Sequence, residues 1–256
     1  MSYNFLIVIV LYRMSASQSK AYQGLCGCFT PEQLDKILYL HDNTHNNIQL
    51  SGAFNAALQQ AQQRHARWLV LFDQDTEVTA QYVEELIKFS ENAEKYQVAV
   101  PILKDESGRT LSPFFYNEKY GPFAGISYKR KKNTDCLTAF NSGVVLDVAL
   151  MQEIGGFSEK FPLDYLDYDY FYKFHKCGVQ IKQLPITLTH TLSVNSSEKL
   201  SFERYNSLLL AETYFVNMLG KTATAFYCLR LFLRSIKWTI KRPNLVIFTL
   251  KQIFRL

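Results

Sequence analysis

Two acidic clusters about ninety residues apart are the side chains best suited to chemistry in this chain. The first is Asp73-Gln74-Asp75, directly behind the apolar run Trp68 to Phe72. The second is Asp164, Asp167 and Asp169, set among Tyr165, Leu166, Tyr168 and Tyr170. A short apolar run reads as a buried strand, so the first pair stands where a strand ends. In open α/β sheets that edge is where ligands bind. Carboxylates gathered there suit a hard divalent cation holding phosphates, and a further carboxylate can serve as a base. The bland alternative for Asp73 and Asp75 is a pair of acids capping the next helix. For Asp164 and Asp169 it is a solvated helix start favoured by the helix dipole.

The elements that must position these clusters follow from the hydrophobic pattern. Phe5 to Leu11, Ile37 to Leu40, Trp68 to Phe72 and Gln97 to Ile102 read as strands, the last closed by Pro101. Ser51 to Arg67 and Thr79 to Tyr96 read as the helices between them. That alternation predicts an α/β fold, a Rossmann-like and mostly parallel sheet flanked by helices. Right-handed crossovers then bring residues 12, 42 and 73 to one edge. In the second half, Ser107 to Tyr128 reads as loops with short strands. Asn141-Ser142-Gly143 precedes a strand at Val144 to Leu146, and Val148 to Ile154 is a short helix stopped by Gly155-Gly156. Leu166 to Cys177 is a helix with Gly178 as its C-cap, and Ile181 to Leu188 is a strand ending near His190.

Charge is unevenly spread. The chain has 256 residues and a formal net charge of +5. From Lys221 to Leu256 there are eight basic residues and no acid, which leaves 20 basic against 23 acidic residues elsewhere. A uniformly basic nucleic-acid binder would not look like this, and no nucleic-acid partner is expected. In the tail, Arg230, Arg234, Lys237 and Lys241 share one helical stripe beside an apolar one of Phe226, Leu229, Leu233, Ile236 and Ile240. Lys251 and Arg255 repeat the scheme after Pro243. Such a basic amphipathic tail suits an anionic membrane surface; the alternative is a helix pair packing on the body or on another subunit. Cysteines 26, 28, 136, 177 and 228 make no metal-type pair and read as reduced thiols of a cytosolic protein. No signal peptide is expected, and no uninterrupted apolar stretch reaches bilayer length.

One rival for the first cluster is a phosphohydrolase of the haloacid dehalogenase type, in which the first Asp of D-x-D-x-[TV] is phosphorylated. Here the fifth position is Glu77 and two strands precede the motif, which disfavours it.

The pieces taken together resemble the family 2 glycosyltransferases with the GT-A fold. Asp42-Asn43, Gly52-Ala53-Phe54-Asn55, Asp73-Gln74-Asp75, Asn141-Ser142-Gly143, Gly155-Gly156-Phe157 and the Asp164 to Asp169 run occur in the family's order, over roughly residues 5 to 192. Within the family, L-F-D-Q-D-T and the Asp164 to Asp169 pattern look most like bacterial rhamnosyltransferases of O-antigen or capsule-type polysaccharide assembly. The resemblance implies residue roles. Tyr12 and Asp42 would contact the base of the nucleotide, with Asn43 and Asn55 among the donor-binding residues. Asp73 would reach the ribose, and Asp75, with His190, would hold Mg²⁺ or Mn²⁺ on the diphosphate. Asp167 would be the catalytic base, tuned by Asp164 and Asp169, with Ser142 and Gly143 near the acceptor. The Gln-x-x-Arg-Trp motif of processive synthases is absent, and the family's H-x-x-G becomes His190-Thr191-Leu192-Ser193.

The expected protein is thus an inverting, metal-dependent transferase on the cytoplasmic face of the inner membrane. It would pass one L-rhamnose from dTDP-rhamnose to a lipid-linked glycan. The alternatives are a UDP-hexose donor or a catalytically silent sugar-nucleotide or glycan-binding subunit. By role, residues 1–100 form the nucleotide-sugar half, 101–220 the acceptor half and 221–256 the tail.

Overall fold

The charge-free run Phe5–Leu11 forms β1, buried along its whole length, as a strand covered on both faces must be. The computed structural model describes residues 3–93, 95–190 and 201–254. After β1 come α1 (Lys20–Cys26), α2 (Pro31–Ile37), β2 (Leu38–Asp42), α3 (Gln49–Gln63) and β3 (Trp68–Asp73). A two-residue strand β4 (Thr76–Glu77) and α4 (Ala80–Asn92) lead to β5 (Val98–Lys104) and β6 (Thr110–Ser112). A pair of short strands, β7 (Phe114–Asn117) and β8 (Asp135–Thr138), precedes β9 (Val144–Asp147) and α5 (Val148–Glu153). Then follow α6 (Leu166–Cys177), β10 (Ile181–His190), α7 (Phe202–Leu219), α8 (Lys221–Lys241) and α9 (Pro243–Ile253).

The main sheet has the order β2-β1-β3-β9-β5-β10-β4, with β6 beside β5. β1, β2, β3, β5 and β10 point one way; β4, β6 and β9 point the other. The register sets Leu11 beside Asp42 and Val10 beside Asp73, so the predicted edge is formed. The core under β1 and β3 joins Ile7, Ile9, Val70 and Phe72 to Leu25 of α1 and Tyr82 of α4.

Pro101 does not close β5, which continues to Lys104. The β5–β10 register shifts between Gln183 and Thr187, opposite Pro101. The ladder is interrupted there, so the missing proline N–H removes no regular sheet bond, and Pro185 of β10 falls in the same gap.

The chain divides into two units. One comprises Met1–Pro113 and Thr138–Leu192, and the other Phe114–Leu137 and Ser193–Leu256. In the second, α8 packs on α7, on α9 and on the turn at Pro122–Ala124. Tyr227 and Leu231 of α8 are buried, and the Tyr205 hydroxyl of α7 bonds Thr249 Oγ1 of α9 at 2.6 Å. Arg234 leaves the expected outward basic stripe. Its guanidinium makes two bonds, 2.7 and 2.8 Å, to the Glu212 carboxylate of α7, because a bidentate pair with a buried acid outweighs solvation of an exposed arginine. The side chains of Ile240 and Lys241, and residues Arg255 and Leu256, lie outside the described residues.

Candidate functional site

All the candidate residues fall in the first unit, and Tyr12, Asp42, Asp73 and Asp75 lie at or just beyond the edge where β1, β2 and β3 end. Gln74, between the two acids, clamps that edge. Its Oε1 accepts the Tyr12 N–H at 2.8 Å, and its carbonyl accepts the Ser19 hydroxyl at 2.9 Å. The loop of the D-x-D motif is therefore held from β1 and from the N-terminus of α1. Tyr12 itself is exposed, with the Arg13 guanidinium 5.0 Å from its ring centre. Asp42 is exposed too; its Oδ1 accepts the Thr44 N–H at 2.8 Å, and the Thr44 bonds hold its carboxyl below the usual range.

The Asn-Ser-Gly segment packs against the same edge, and each residue has a distinct physical reason. Asn141 Oδ1 accepts the Tyr170 hydroxyl of α6 at 2.8 Å. Ser142 donates to Asp73 Oδ2 at 2.8 Å, receives the Asp73 N–H at 3.3 Å and receives the Thr76 hydroxyl at 2.7 Å. Gly143 has φ of 79°, and a Cβ there would lie 2.8 Å from Pro101 Cγ. Only glycine suits that position. Thr76 in turn bonds His190 Nδ1 at 2.9 Å, across the β4–β10 pair in which the two residues are partners. Residues 191–193 of the expected H-x-x-G region lie outside the described residues.

Asp75 is half-buried, and its carboxyl is raised first by burial and then by the charge of Asp73. His190 and Lys20 act in the opposite direction. Lys20, on α1, is a residue the motif reading did not include. Among the described residues no three His, Cys, Asp or Glu side chains form a ready-made ion cage. A half-buried carboxylate within electrostatic reach of a histidine still fits a cation held partly by a diphosphate.

Asp167 lies in the first turn of α6. The residue before that helix, Tyr165, takes φ of 62°, unusual for a non-glycine and the kind of strain that gathers at functional positions. Asp167 is only 9% exposed, and burial pushes its carboxyl up to about 7 despite the 2.9 Å bond it accepts from the Tyr168 N–H. The charge of Asp73 contributes to that rise.

One like charge acting on Asp167 is therefore Asp73, far away in sequence, which the motifs alone did not set beside it. Asp169 is 2% exposed and pairs with Lys173 one turn on, at 2.8 Å. Two of the expected donor residues are spent on the backbone. Asn55 donates to the Phe157 carbonyl at 2.8 Å and accepts the Phe157 N–H at 2.9 Å, tying the G-x-x-N segment of α3 to the G-G-F turn. Gly156, with φ of 71°, must stay small there, since a Cβ would meet Asn55 Oδ1 at 2.7 Å. Asn43 similarly closes its own loop, through the Ile48 N–H at 3.2 Å and the Gln49 carbonyl at 3.1 Å.

The mixed α/β architecture, a mostly parallel sheet flanked by helices, is that of the GT-A fold. Residues 26–154 match the family model described as Glycosyl transferase family 2, and the chain belongs to that family. No curated protein matches the sequence. Among solved structures, that of GalNAc-T7 with UDP, GalNAc and Mn²⁺ is similar at 13% identity and a TM-score of 0.54, covering 96% of this chain and 58% of its own. TarS of S. aureus is similar at 12% identity and 0.51, over 96% of this chain and 55% of that one. The mannosyltransferase PcManGT from Pyrobaculum calidifontis, in complex with GDP-Man and Mn²⁺, is similar at 10% and 0.54, over 98% and 73%. The chain thus spans little more than half the length of the first two, and at these identities the likeness speaks for the fold.

Proposed function

We propose that this chain is a metal-dependent, inverting glycosyltransferase that moves one sugar from a nucleoside diphosphate to a hydroxyl of a lipid-linked oligosaccharide. The observation that carries the reading is a buried acid, Asp167, in the first turn of α6, whose carboxyl burial and the like charge of Asp73 at the end of β3 lift to about 7. A carboxyl poised near neutral pH is what a general base needs. Asp167 takes the proton of the acceptor hydroxyl as that oxygen attacks C1 of the sugar, and the nucleoside diphosphate leaves from the opposite face. Asp75, with His190, is the residue pair that would hold Mg²⁺ or Mn²⁺. When bound, the cation supplies charge stabilisation for the leaving diphosphate. Asp42 and Tyr12 stand exposed at the ends of β2 and β1, where a base could lie across them. By role, residues 1–100 form the donor half and 101–220 the acceptor half. The Mn²⁺ present in the GalNAc-T7 and PcManGT structures supports a divalent ion.

L-rhamnose from dTDP-rhamnose is the donor we infer from the motif pattern. Thermal shift with dTDP-rhamnose, UDP-glucose, UDP-GlcNAc and GDP-mannose, each with Mn²⁺ or EDTA, tests it. Binding at a hundred times Kd stabilises by about 2.7 kcal/mol, a shift of several degrees. Metal-dependent stabilisation by dTDP-rhamnose alone is expected. Response to a UDP-sugar instead keeps the chemistry and changes the sugar. No response to any donor overturns the transferase reading in favour of a silent subunit.

The same reading places residues 221–256 on an anionic membrane. No helix among the described residues is long and apolar enough to cross one. The support is the outer face of α8, where Leu229, Phe232, Leu233 and Ile236 are each at least half exposed beside exposed Arg230 and Lys237. Arg234 contributes nothing there, being committed to Glu212. Co-sedimentation is expected with phosphatidylglycerol-containing vesicles and not with phosphatidylcholine alone. Lys237→Glu and Arg230→Glu should each weaken it by about fivefold or more, at ~1 kcal/mol per basic residue near the surface. Arg234→Gln should leave this electrostatic dependence unchanged while lowering the melting temperature.

A further inference from the structure

Four side chains at the site form one chain of hydrogen bonds: Asp73, Ser142, Thr76 and His190, at 2.8, 2.7 and 2.9 Å. Thr76 and Ser142 are fully buried and His190 nearly so, so the two hydroxyls and the ring nitrogen facing them must be satisfied by one another. The direction of the bonds can be worked out from one end. An ionised carboxylate only accepts, so the Ser142 hydroxyl donates to Asp73. The Ser142 oxygen then accepts the Thr76 hydroxyl proton. With that proton committed, Thr76 can only accept from the ring, and His190 must carry its proton on Nδ1. In the neutral ring this leaves the lone pair on Nε2.

We propose that Thr76 and Ser142 are positioning residues that impose the Nδ1–H tautomer on His190, so that Nε2 offers its lone pair to the cation that Asp75 would share. The deduction needs only the carboxylate and the three bonds. Its use rests on the transferase reading given above. A metal-binding imidazole generally has its other nitrogen held by a hydrogen-bond partner, which fixes tautomer and ring orientation together. Here the partner is a hydroxyl pair anchored on Asp73, so the donor-side carboxylate and the ring are set by one device. The register explains why these residues meet. Thr76 and His190 are direct partners across the β4–β10 pair, and Ser142 lies two residues before β9, which runs beside β3.

The test is ¹⁵N long-range correlation spectroscopy on the histidine-labelled full chain at pH 8, metal-free, where an ordinary imidazole is neutral. Wild type should show His190 as the Nδ1–H tautomer. Thr76→Val should shift it toward Nε2–H, Thr76→Ser should restore it, and Ser142→Ala should give a mixture because the Thr76 proton is released. An Nε2–H ring in the wild type overturns the proposal, as does a Thr76→Val ring that stays Nδ1–H. If Thr76→Val fails to fold, the wild-type, Thr76→Ser and Ser142→Ala spectra still decide. Mn²⁺ binding in the presence of UDP, followed by electron paramagnetic resonance, is the second readout. Thr76→Val should bind roughly 10–100-fold more weakly, as for other lost supports of metal-binding side chains. A wild type that holds the predicted tautomer but binds no Mn²⁺ sinks the metal-dependent reading and leaves the hydrogen-bond chain standing.

Discussion

Asp167→Asn is expected to lose transfer activity by about 10²–10⁴-fold, the usual contribution of a positioned general base, and to be more stable than wild type. The two effects share one cause. Burial and the Asp73 charge raise the Asp167 carboxyl to about 7. In the unfolded chain it titrates near 3.9. Below that value the group is neutral in both states and costs nothing. As pH rises toward 7 the unfolded chain ionises freely while the folded chain resists, so the cost to folding grows and is complete above 7. Asparagine keeps the oxygen that accepts the Tyr168 N–H and never ionises. A gain on the order of 4 kcal/mol at pH 8, and almost none at pH 4, is therefore expected, measured as melting temperature at the two values. In the wild type, kcat/KM should fall tenfold per pH unit below about 7, because the base must be ionised to act. Asp73→Asn removes the charge that raises Asp167 and should move that acid limb to lower pH. A wild-type rate independent of pH between 5 and 8 would sink the assignment of Asp167 as base.

The strands and the edge they share were legible because apolar runs without charge leave few alternatives. Phe5 to Leu11 and Leu166 to Cys177 appear with the boundaries the pattern predicts. The two seven-residue helices α1 and α2 were not anticipated, since so short a segment shows barely two turns of periodicity. A signal was nonetheless present: Thr30 and Gln33 form a capping box around Pro31. In the site, the residue types of the motifs were legible and their partners were not. Asp167 and Asp169 differ by two positions on one helix, yet one faces the charge of Asp73 and the other is neutralised by Lys173. Sequence proximity suggested tuning by neighbouring acids, and the fold adds Asp73, a charge that no local pattern shows. Asn55 likewise reads as a ligand-binding amide until Phe157, 102 residues away, is seen to use both its ends. Arg234 follows the same rule, as its helical stripe points outward only if no acid is buried opposite.

Asp75→Ala is expected to remove donor-dependent stabilisation by Mn²⁺ and to lower kcat/KM by about 10³-fold or more, since cation stabilisation of a leaving diphosphate is worth several kcal/mol. Its cost to folding should be small, because the lost carboxylate is one that burial and Asp73 already disfavour in its ionised form. That combination separates a ligand from a structural acid. A structural acid, once removed, lowers the melting temperature with and without donor alike. Isothermal titration of UDP in Mn²⁺ and in EDTA measures the difference directly. In the wild type, Mn²⁺ should tighten UDP binding, and in Asp75→Ala the two titrations should coincide. Asp73→Asn gives the contrast, since it keeps Asp75 and should retain part of the metal effect while loosening the bond to Ser142. If Asp75→Ala still binds UDP more tightly with Mn²⁺ than with EDTA, the cation sits elsewhere. The half-buried carboxylate at the end of β3 then serves the loop rather than the donor.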